Sequence, residues 1–87
     1  MNATLHATTE AHVSDGGWVE LHLTANGVLC NDPQRVYKTW TAKNLHTLKA
    51  TCSVPVLANT QYLFVAEQKN MNANAHNTVL RVSYARQ

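Results

Sequence analysis

Apolar and polar residues alternate with a period of two in seven separate stretches of this 87-residue chain, and no stretch keeps a helical period. In the clearest stretch, residues 3–13, the odd positions are apolar apart from Thr9, and the even positions are Thr, His or Glu. Successive side chains of a strand point to opposite faces, so this pattern predicts a sheet with one apolar face and one face in solvent. We expect a single antiparallel all-β domain over residues 1–87.

Turn-forming residues separate the predicted strands, which span residues 3–13, 18–25, 28–31, 35–42, 45–54, 61–68 and 78–86. Asn26 and Gly27 give the strongest turn signal, because both tolerate the positive φ that a type I′ hairpin requires. Segment 38–50 contains helix formers, so a short helix is an alternative there. Residues 14–17 and 69–77 are expected to be exposed loops suited to partner contact. Seven short strands at this spacing are typical of a β-sandwich, Ig-like or jelly-roll-like, or of a small barrel.

The first two predicted strands are expected to pair as a hairpin, with His12 opposite Glu20 and Glu10 opposite His22. Cross-strand neighbours lie about 5 Å apart at Cβ, which is close enough for imidazole and carboxylate groups to share a metal ion. A flat face lacks the concavity and supporting partners of a metal centre. We therefore interpret these four residues first as Glu–His contacts on a solvated face and expect no bound metal.

Charged residues are sparse, at 14% of the chain, and ten Thr and nine Asn replace them as solvating residues. Thr suits an exposed strand face and Asn suits turns. This composition is typical of secreted, surface and virion β modules, so a virion or extracellular location is favoured over the cytoplasm. The sequence shows no signal-peptide pattern and no apolar run long enough to span a membrane as a helix.

The charges are segregated along the chain: residues 1–34 carry a net −4 and residues 35–87 a net +6. Such asymmetry can create a basic binding surface or promote self-association. Strands from the two halves can also interleave and cancel it, which is the outcome we expect. The candidate binding residues, which accompany several aromatic side chains, are Arg35, Tyr37, Lys38, Lys49, Arg81 and Arg86.

Cys30 and Cys52 are the only cysteines, and neither belongs to a CxxC or CxxH pair, which argues against a zinc site. Cys52 lies on the apolar side of its predicted strand. Free cysteine is among the most buried residue types, so we favour two buried thiols, with one disulfide as the alternative.

The sequence contains no GxSxG, HExxH or P-loop motif, and its five carboxylates form no evident acid–base pair. We therefore expect a protein that is not an enzyme and that needs no cofactor.

From Val56 to Ala66, alternate positions carry Val, Ala, Thr, Tyr, Phe and Ala. This segment resembles the strand E–F corner of fibronectin type III-like and immunoglobulin-like sandwiches. The resemblance implies that Tyr62 is a corner tyrosine whose hydroxyl bonds to the backbone a few residues upstream, a structural role.

The sequence thus predicts a non-catalytic binding or assembly module within a phage or virus appendage or another surface assembly. Its partner is expected to be another protein or further copies of itself, as a homo-oligomer and specifically a trimer. One alternative is a small β-barrel that binds single-stranded nucleic acid through the basic second half. Another is a phage-encoded inhibitor that binds a host protein through an edge strand.

Overall fold

The computed structural model describes residues 1–40 and 44–86, which form one antiparallel sheet of five strands without any helix. The strands are β1 (Asn2–Ala25), β2 (Val28–Leu29), β3 (Val36–Tyr37), β4 (Leu45–Pro55) and β5 (Phe64–Ala85). The expected all-β antiparallel class is confirmed. Five strands form where seven were predicted, because β1 and β5 each contain two of the predicted strands.

β1 lies at the centre of the sheet and pairs with each of the other strands. β5 follows it along nearly its whole length on one side. On the other side, β4 pairs with the first half of β1, from residue 2 to 12, and β3 and β2 pair with the second half. The inward side chains of β1 are therefore covered by neighbours on both sides.

The sheet folds back on itself between the two halves of β1. A disulfide joins Cys30 to Cys52, with their Cα atoms 5.8 Å apart. Cys30 donates its backbone N–H to the carbonyl of Leu23, and Cys52 lies opposite Leu5 in the sheet. A straight strand from Leu5 to Leu23 would be about 60 Å long, whereas the longest dimension of the molecule is 48 Å. The two halves of the sheet therefore face each other.

The bend is a large bulge in β1. Residues 14–17 of β1 lie opposite only Asn72 of β5, where the register of the two strands shifts. Gly16 and Asn72 adopt positive φ values of 74° and 50°. Gly17 lies so close to β5 that a Cβ atom there would be 2.5 Å from the carbonyl oxygen of Asn72. Glycine supplies the left-handed conformation at one position and the close backbone approach at the next.

A second bulge accommodates a buried hydroxyl. Thr9 is fully buried and lies where β5 carries one extra residue, with Asn77 at a φ of 55°. The Oγ1 atom of Thr9 is 2.8 Å from Oγ1 of Thr78, and it also donates to the carbonyl of His76 at 3.4 Å. The bulge thus supplies hydrogen-bond partners for a polar group on the apolar face.

The core is formed by the inward face of β1, as the alternating pattern over residues 3–13 predicts. Its buried apolar residues are Ala3, Leu5, Ala7, Ala11, Val13, Val19, Leu21, Leu23, Leu48 and Val56. The inward residues of β5 are only partly buried, and one of them, Tyr84, remains 60% exposed. The core is thus well covered at its centre and open along β5.

The predicted hairpin between residues 3–13 and 18–25 is wrong. The two segments are consecutive parts of one strand, and Val13 and Val19 each pair with β5 instead of with each other. Gly16 and Gly17 allow a bulge as readily as a turn, and pairing with β5 favours the bulge.

The predicted loop over residues 69–77 is also wrong, because this Asn-rich segment lies within β5. Asn72 and Asn77 adopt left-handed conformations that produce bulges without ending the strand. The predicted strand over 45–54 is confirmed as β4, which excludes a helix there. Of the predicted strand over 35–42, only Val36 and Tyr37 are paired, and its last two residues lie outside the described part of the chain.

The predicted type I′ turn is confirmed. Asn26 and Gly27 have φ values of 50° and 81°, and Ala25 pairs with Val28 across the turn. The side-chain oxygen of Asn26 also accepts the backbone N–H of Leu63 at 2.7 Å. This turn therefore closes a hairpin and also holds the segment that leads into β5.

Two further predictions concern single side chains. The preference for free thiols is wrong. Cys30 and Cys52 form a disulfide, because the folding of the sheet brings them together.

The hydroxyl of Tyr62 accepts the backbone N–H of Leu57, five residues upstream, at 2.9 Å. The tyrosine ring also stacks on Phe64 with a centroid separation of 5.9 Å. The local contact that the family resemblance implies is therefore present.

Candidate functional site

An exposed apolar row crosses the outer face of the second half of the sheet. Trp18 of β1 lies directly opposite Tyr37 of β3 on one side and Met71 of β5 on the other. Tyr37 is 56% exposed and Met71 is 50% exposed. We call these three residues the apolar row. Contiguous exposed apolar side chains rimmed by polar groups are typical of interaction surfaces.

Polar contacts fix the position of Arg35 above this row. Its guanidinium lies 4.0 Å from the centroid of the Trp18 ring, a cation–π contact. Its Nε donates to a carboxylate oxygen of Glu20. The other oxygen of Glu20 lies 2.7 Å from Nε2 of His22. One carboxylate thus orients both a guanidinium and an imidazole on the same face.

The electrostatics of this cluster favour charged Glu20 and Arg35. The hydrogen bond from His22, followed by that from Arg35, lowers the pKa of the nearly buried Glu20 carboxyl, although burial opposes the shift. The hydrogen bond to Glu20 raises the pKa of Arg35 above its usual value. Lys69 of β5 lies opposite Glu20 in the sheet and adds a positive charge on the other side. This arrangement holds Arg35 over Trp18.

We predict that Glu20→Gln flattens the pH dependence of stability on the acid side. A carboxyl with a lowered pKa stabilises the fold fully above its ordinary value of 4.5, and this contribution is lost as the pH falls through the lowered value. Urea unfolding between about pH 6 and pH 3 measures this dependence. The wild-type chain should lose more stability over that range than the variant. Asp32→Asn is the control, and equal slopes for Glu20→Gln and wild type would contradict the assignment.

A second, basic face covers the outer side of the first half of the sheet. His6 of β1 lies between Thr51 of β4 and Arg81 of β5. Lys49 is the next residue of β4 on the same face and lies opposite Thr8. The described residues place no Trp, Tyr or Phe among these pairs. This face therefore offers positive charge and hydroxyl groups, with the His6 imidazole as its one small ring.

The structure divides the candidate binding residues among three places. Tyr37 belongs to the apolar row and Arg35 and Lys38 lie beside it, whereas Lys49 and Arg81 lie on the basic face. Arg86 lies near Met1 and Val56, at the end of the sheet where both β1 and β4 have their termini. Lys43, another basic residue of the second half, lies outside the described residues. The six residues therefore do not form one continuous groove.

The charge segregation seen in the sequence is cancelled in part in space. Asp15 pairs with Lys38, Glu20 pairs with Arg35, and Glu10 lies 3.4 Å from His76. Acidic groups of the first 34 residues thus meet basic groups or imidazoles of the second half, because β1 lies between the later strands.

The four residues considered for a metal site do not converge. Glu20 and His22 contact each other along the second half of β1, whereas Glu10 and His12 lie in the first half, beyond the bulge. The predicted cross-strand pairs between them are wrong because the two halves of β1 do not pair with each other. Within residues 1–40 and 44–86, no three His, Cys, Asp or Glu side chains are placed to bind one metal ion.

The outer edge of β5 is open. Among the described residues, this 22-residue strand pairs only with β1, so its other side has no partner strand. Its exposed large apolar side chains are Val65, Met71, Val79 and Tyr84. An edge of this length, carrying apolar residues, is a template for pairing with another strand.

Sequence reasoning missed this edge because it assigned residues 69–77 to a loop. The alternation of Met71, Ala73 and Ala75 with polar neighbours was a usable signal that the strand continued past residue 68. Sequence reasoning also missed Asn31, whose side-chain amide bonds to the backbone of Leu21 and Leu23 at 2.9 and 2.7 Å. That amide continues the pairing of β1 between β2 and β3.

Comparison with known proteins returned no match to a family model, to a curated protein or to a solved structure. Nor do the described residues include a helix with the length and hydrophobicity that crossing a membrane requires.

Proposed function

We propose that this chain is a non-catalytic binding or assembly module, a small β-sandwich of the Ig-like or jelly-roll-like kind made by folding one sheet into two layers. Its setting is a phage or virus appendage or another surface assembly. The observation that carries the proposal is the open edge of β5, which exposes 22 residues of strand without an outer partner among the described residues.

The distribution of burial supports assembly. Inward residues of β1 such as Leu5 and Leu23 are fully buried, whereas the inward residues of β5 are only partly covered. A domain of this size buries only about 60% of its unfolded surface, so a further strand packed beside β5 would add a substantial part of the core. The partner is another protein or further copies of this chain.

We predict that the purified chain forms a homo-oligomer whose mass rises with concentration. Self-association covers the open edge, and the equilibrium follows mass action. Light scattering coupled to size-exclusion chromatography, over a wide range of concentrations, measures this mass. Reductant should break the disulfide without dissociating the oligomer, because Cys30 and Cys52 bond within one chain. A monomer at the highest concentration would refute self-assembly.

The cluster at Trp18 favours a second candidate, binding of single-stranded nucleic acid. Arg35 stacked on Trp18, with Tyr37 beside it, presents positive charge and aromatic surface together. The partnership of Arg35 with Glu20 reduces the charge available for phosphate. Titration with oligo-dT at low salt, followed by tryptophan fluorescence, separates the two candidates, and unchanged emission would exclude this one. An inhibitor that binds a host protein would use the same open edge as the assembly module.

A further inference from the structure

The open edge of β5 is complementary to itself. We propose that two copies of the chain pair antiparallel through β5 about a two-fold axis at Asn74. Residues 64–70 of one copy then lie beside residues 78–84 of the other, and this ladder forms twice. The inference rests on the proposed assembly function and names its partner, which is a second copy of this chain.

The faces of the two strands match in this register. In β5, residues opposite outward residues of β1 point outward, because directly opposed side chains share a face. Residues 65, 67 and 69 are outward, and so are residues 79, 81 and 83. The register pairs Val65 with Ser83, Glu67 with Arg81 and Lys69 with Val79. A shift by one residue would set outward residues of one copy against inward residues of the other.

The charges also match. Glu67 of each copy faces Arg81 of the other, so two opposite-charge pairs form across the axis. Neither residue makes an ion pair within the described part of its own chain. A shift by two residues keeps the faces, but in one direction it sets Lys69 against Arg81. In the other direction, Tyr84 has no opposite residue within β5.

Pairing would cover the side of the core that β5 leaves open. The inward residues Phe64, Ala66 and Gln68 of one copy lie beside Tyr84, Val82 and Leu80 of the other. Phe64 is partly buried and Tyr84 is 60% exposed in the single chain. Facing aromatic residues on neighbouring strands are favourable pairs. Burial of Tyr84 is therefore a direct consequence of the proposed contact.

The bulges of β5 fall close to the axis. Asn72 and Asn77, both with positive φ, lie on either side of Asn74, so the irregular backbone is at the centre and the regular segments pair outside it. The first half of β5 in one copy pairs with the second half of β5 in the other copy. Each half of the folded sheet in one copy thus gains a strand from the other copy. A two-fold contact uses the same edge on both copies and closes, whereas a trimer would need two different surfaces.

Charge reversal tests this register. Glu67→Arg and Arg81→Glu should each weaken self-association about tenfold or more, because each variant turns two attractive pairs into repulsive ones. An equimolar mixture of the two variants should regain wild-type association within about threefold, since all facing pairs in the mixed dimer are attractive. The double variant should recover in the same way. Lys69→Gln, on the same face but opposite Val79, is the matched control and should change little.

The measurements are sedimentation equilibrium or light scattering on chains whose β-sheet circular dichroism equals that of wild type. If wild type associates but mixing the two variants restores nothing, the β5 register is refuted and the assembly function stands. If wild type remains monomeric, both the β5 contact and self-assembly are refuted, and only binding to another protein is left of the proposed function. A variant that does not fold alone is replaced by Glu67→Gln or Arg81→Gln. Each should weaken association, and mixing the two should restore it in part, because the mixed dimer keeps one of the two Glu67–Arg81 pairs.

Discussion

Replacing Cys30 and Cys52 together by Ala is expected to lower the free energy of unfolding by about 3 kcal/mol. The disulfide closes a loop over a sequence separation of 22 residues, and the loss of that constraint increases the entropy of the unfolded chain. The bond also connects the segment after β2 to β4, where the two halves of the folded sheet meet. Urea denaturation, with linear extrapolation to water, measures the change.

The effect should be larger than that of a substitution elsewhere in β4, such as Ser53→Ala on the exposed face. Reduction of the wild-type chain should reproduce most of the loss, because it removes the same constraint without changing a side-chain skeleton. A double variant within about 0.5 kcal/mol of wild type would mean that the disulfide does not hold the halves together.

Gly17→Ala is expected to destabilise the fold by about 3 kcal/mol. Its added Cβ would lie 2.5 Å from the carbonyl oxygen of Asn72 and 2.6 Å from that of Met71, and both atoms belong to the backbone of β5. β1 and β5 would have to move apart at the bend, so the substitution would disturb the pairing of the two strands as well as the single contact. Thermal or urea unfolding of the purified variant measures the loss.

Gly16→Ala is the matched control for that prediction. The neighbouring glycine has a φ of 74° and open space around it, so the substitution adds conformational strain without a clash. We expect a cost of about 1 kcal/mol. If the two variants were equally stable, close approach of β5 to Gly17 would not be the feature that holds the bend.

The parts of the fold that depend on neighbouring residues could be predicted from the sequence. Alternation over residues 3–13 identified the inward face of β1, and Asn26 with Gly27 identified a turn that depends only on their own backbone preferences. The contact of Tyr62 with the backbone five residues upstream could also be predicted. Each of these features is local, so short-range pattern and stereochemistry are sufficient.

The candidate site was harder to predict from the sequence, because its residues come together from distant segments. Trp18, Tyr37 and Met71 were each visible as aromatic or apolar residues, but they form one row only through pairing of β1 with β3 and β5. The six predicted binding residues lie in three separate places for the same reason, because strand pairing decides which distant residues become neighbours. Segment 69–77 is polar enough for a loop, and only its pairing with β1 makes it a strand.

By itself, the sequence determined that the chain is extended and which side of β1 is buried, because side-chain parity follows from the geometry of a single strand. The tertiary structure alone decided that Gly16 and Gly17 form a bulge and not a hairpin turn, and that Cys30 meets Cys52. Those outcomes depend on which strand hydrogen-bonds to β1, and that partner, β5, lies dozens of residues away along the chain. Side chains of β1 alternate with a period of two whichever strand pairs with it, so the alternation does not identify the partner strand.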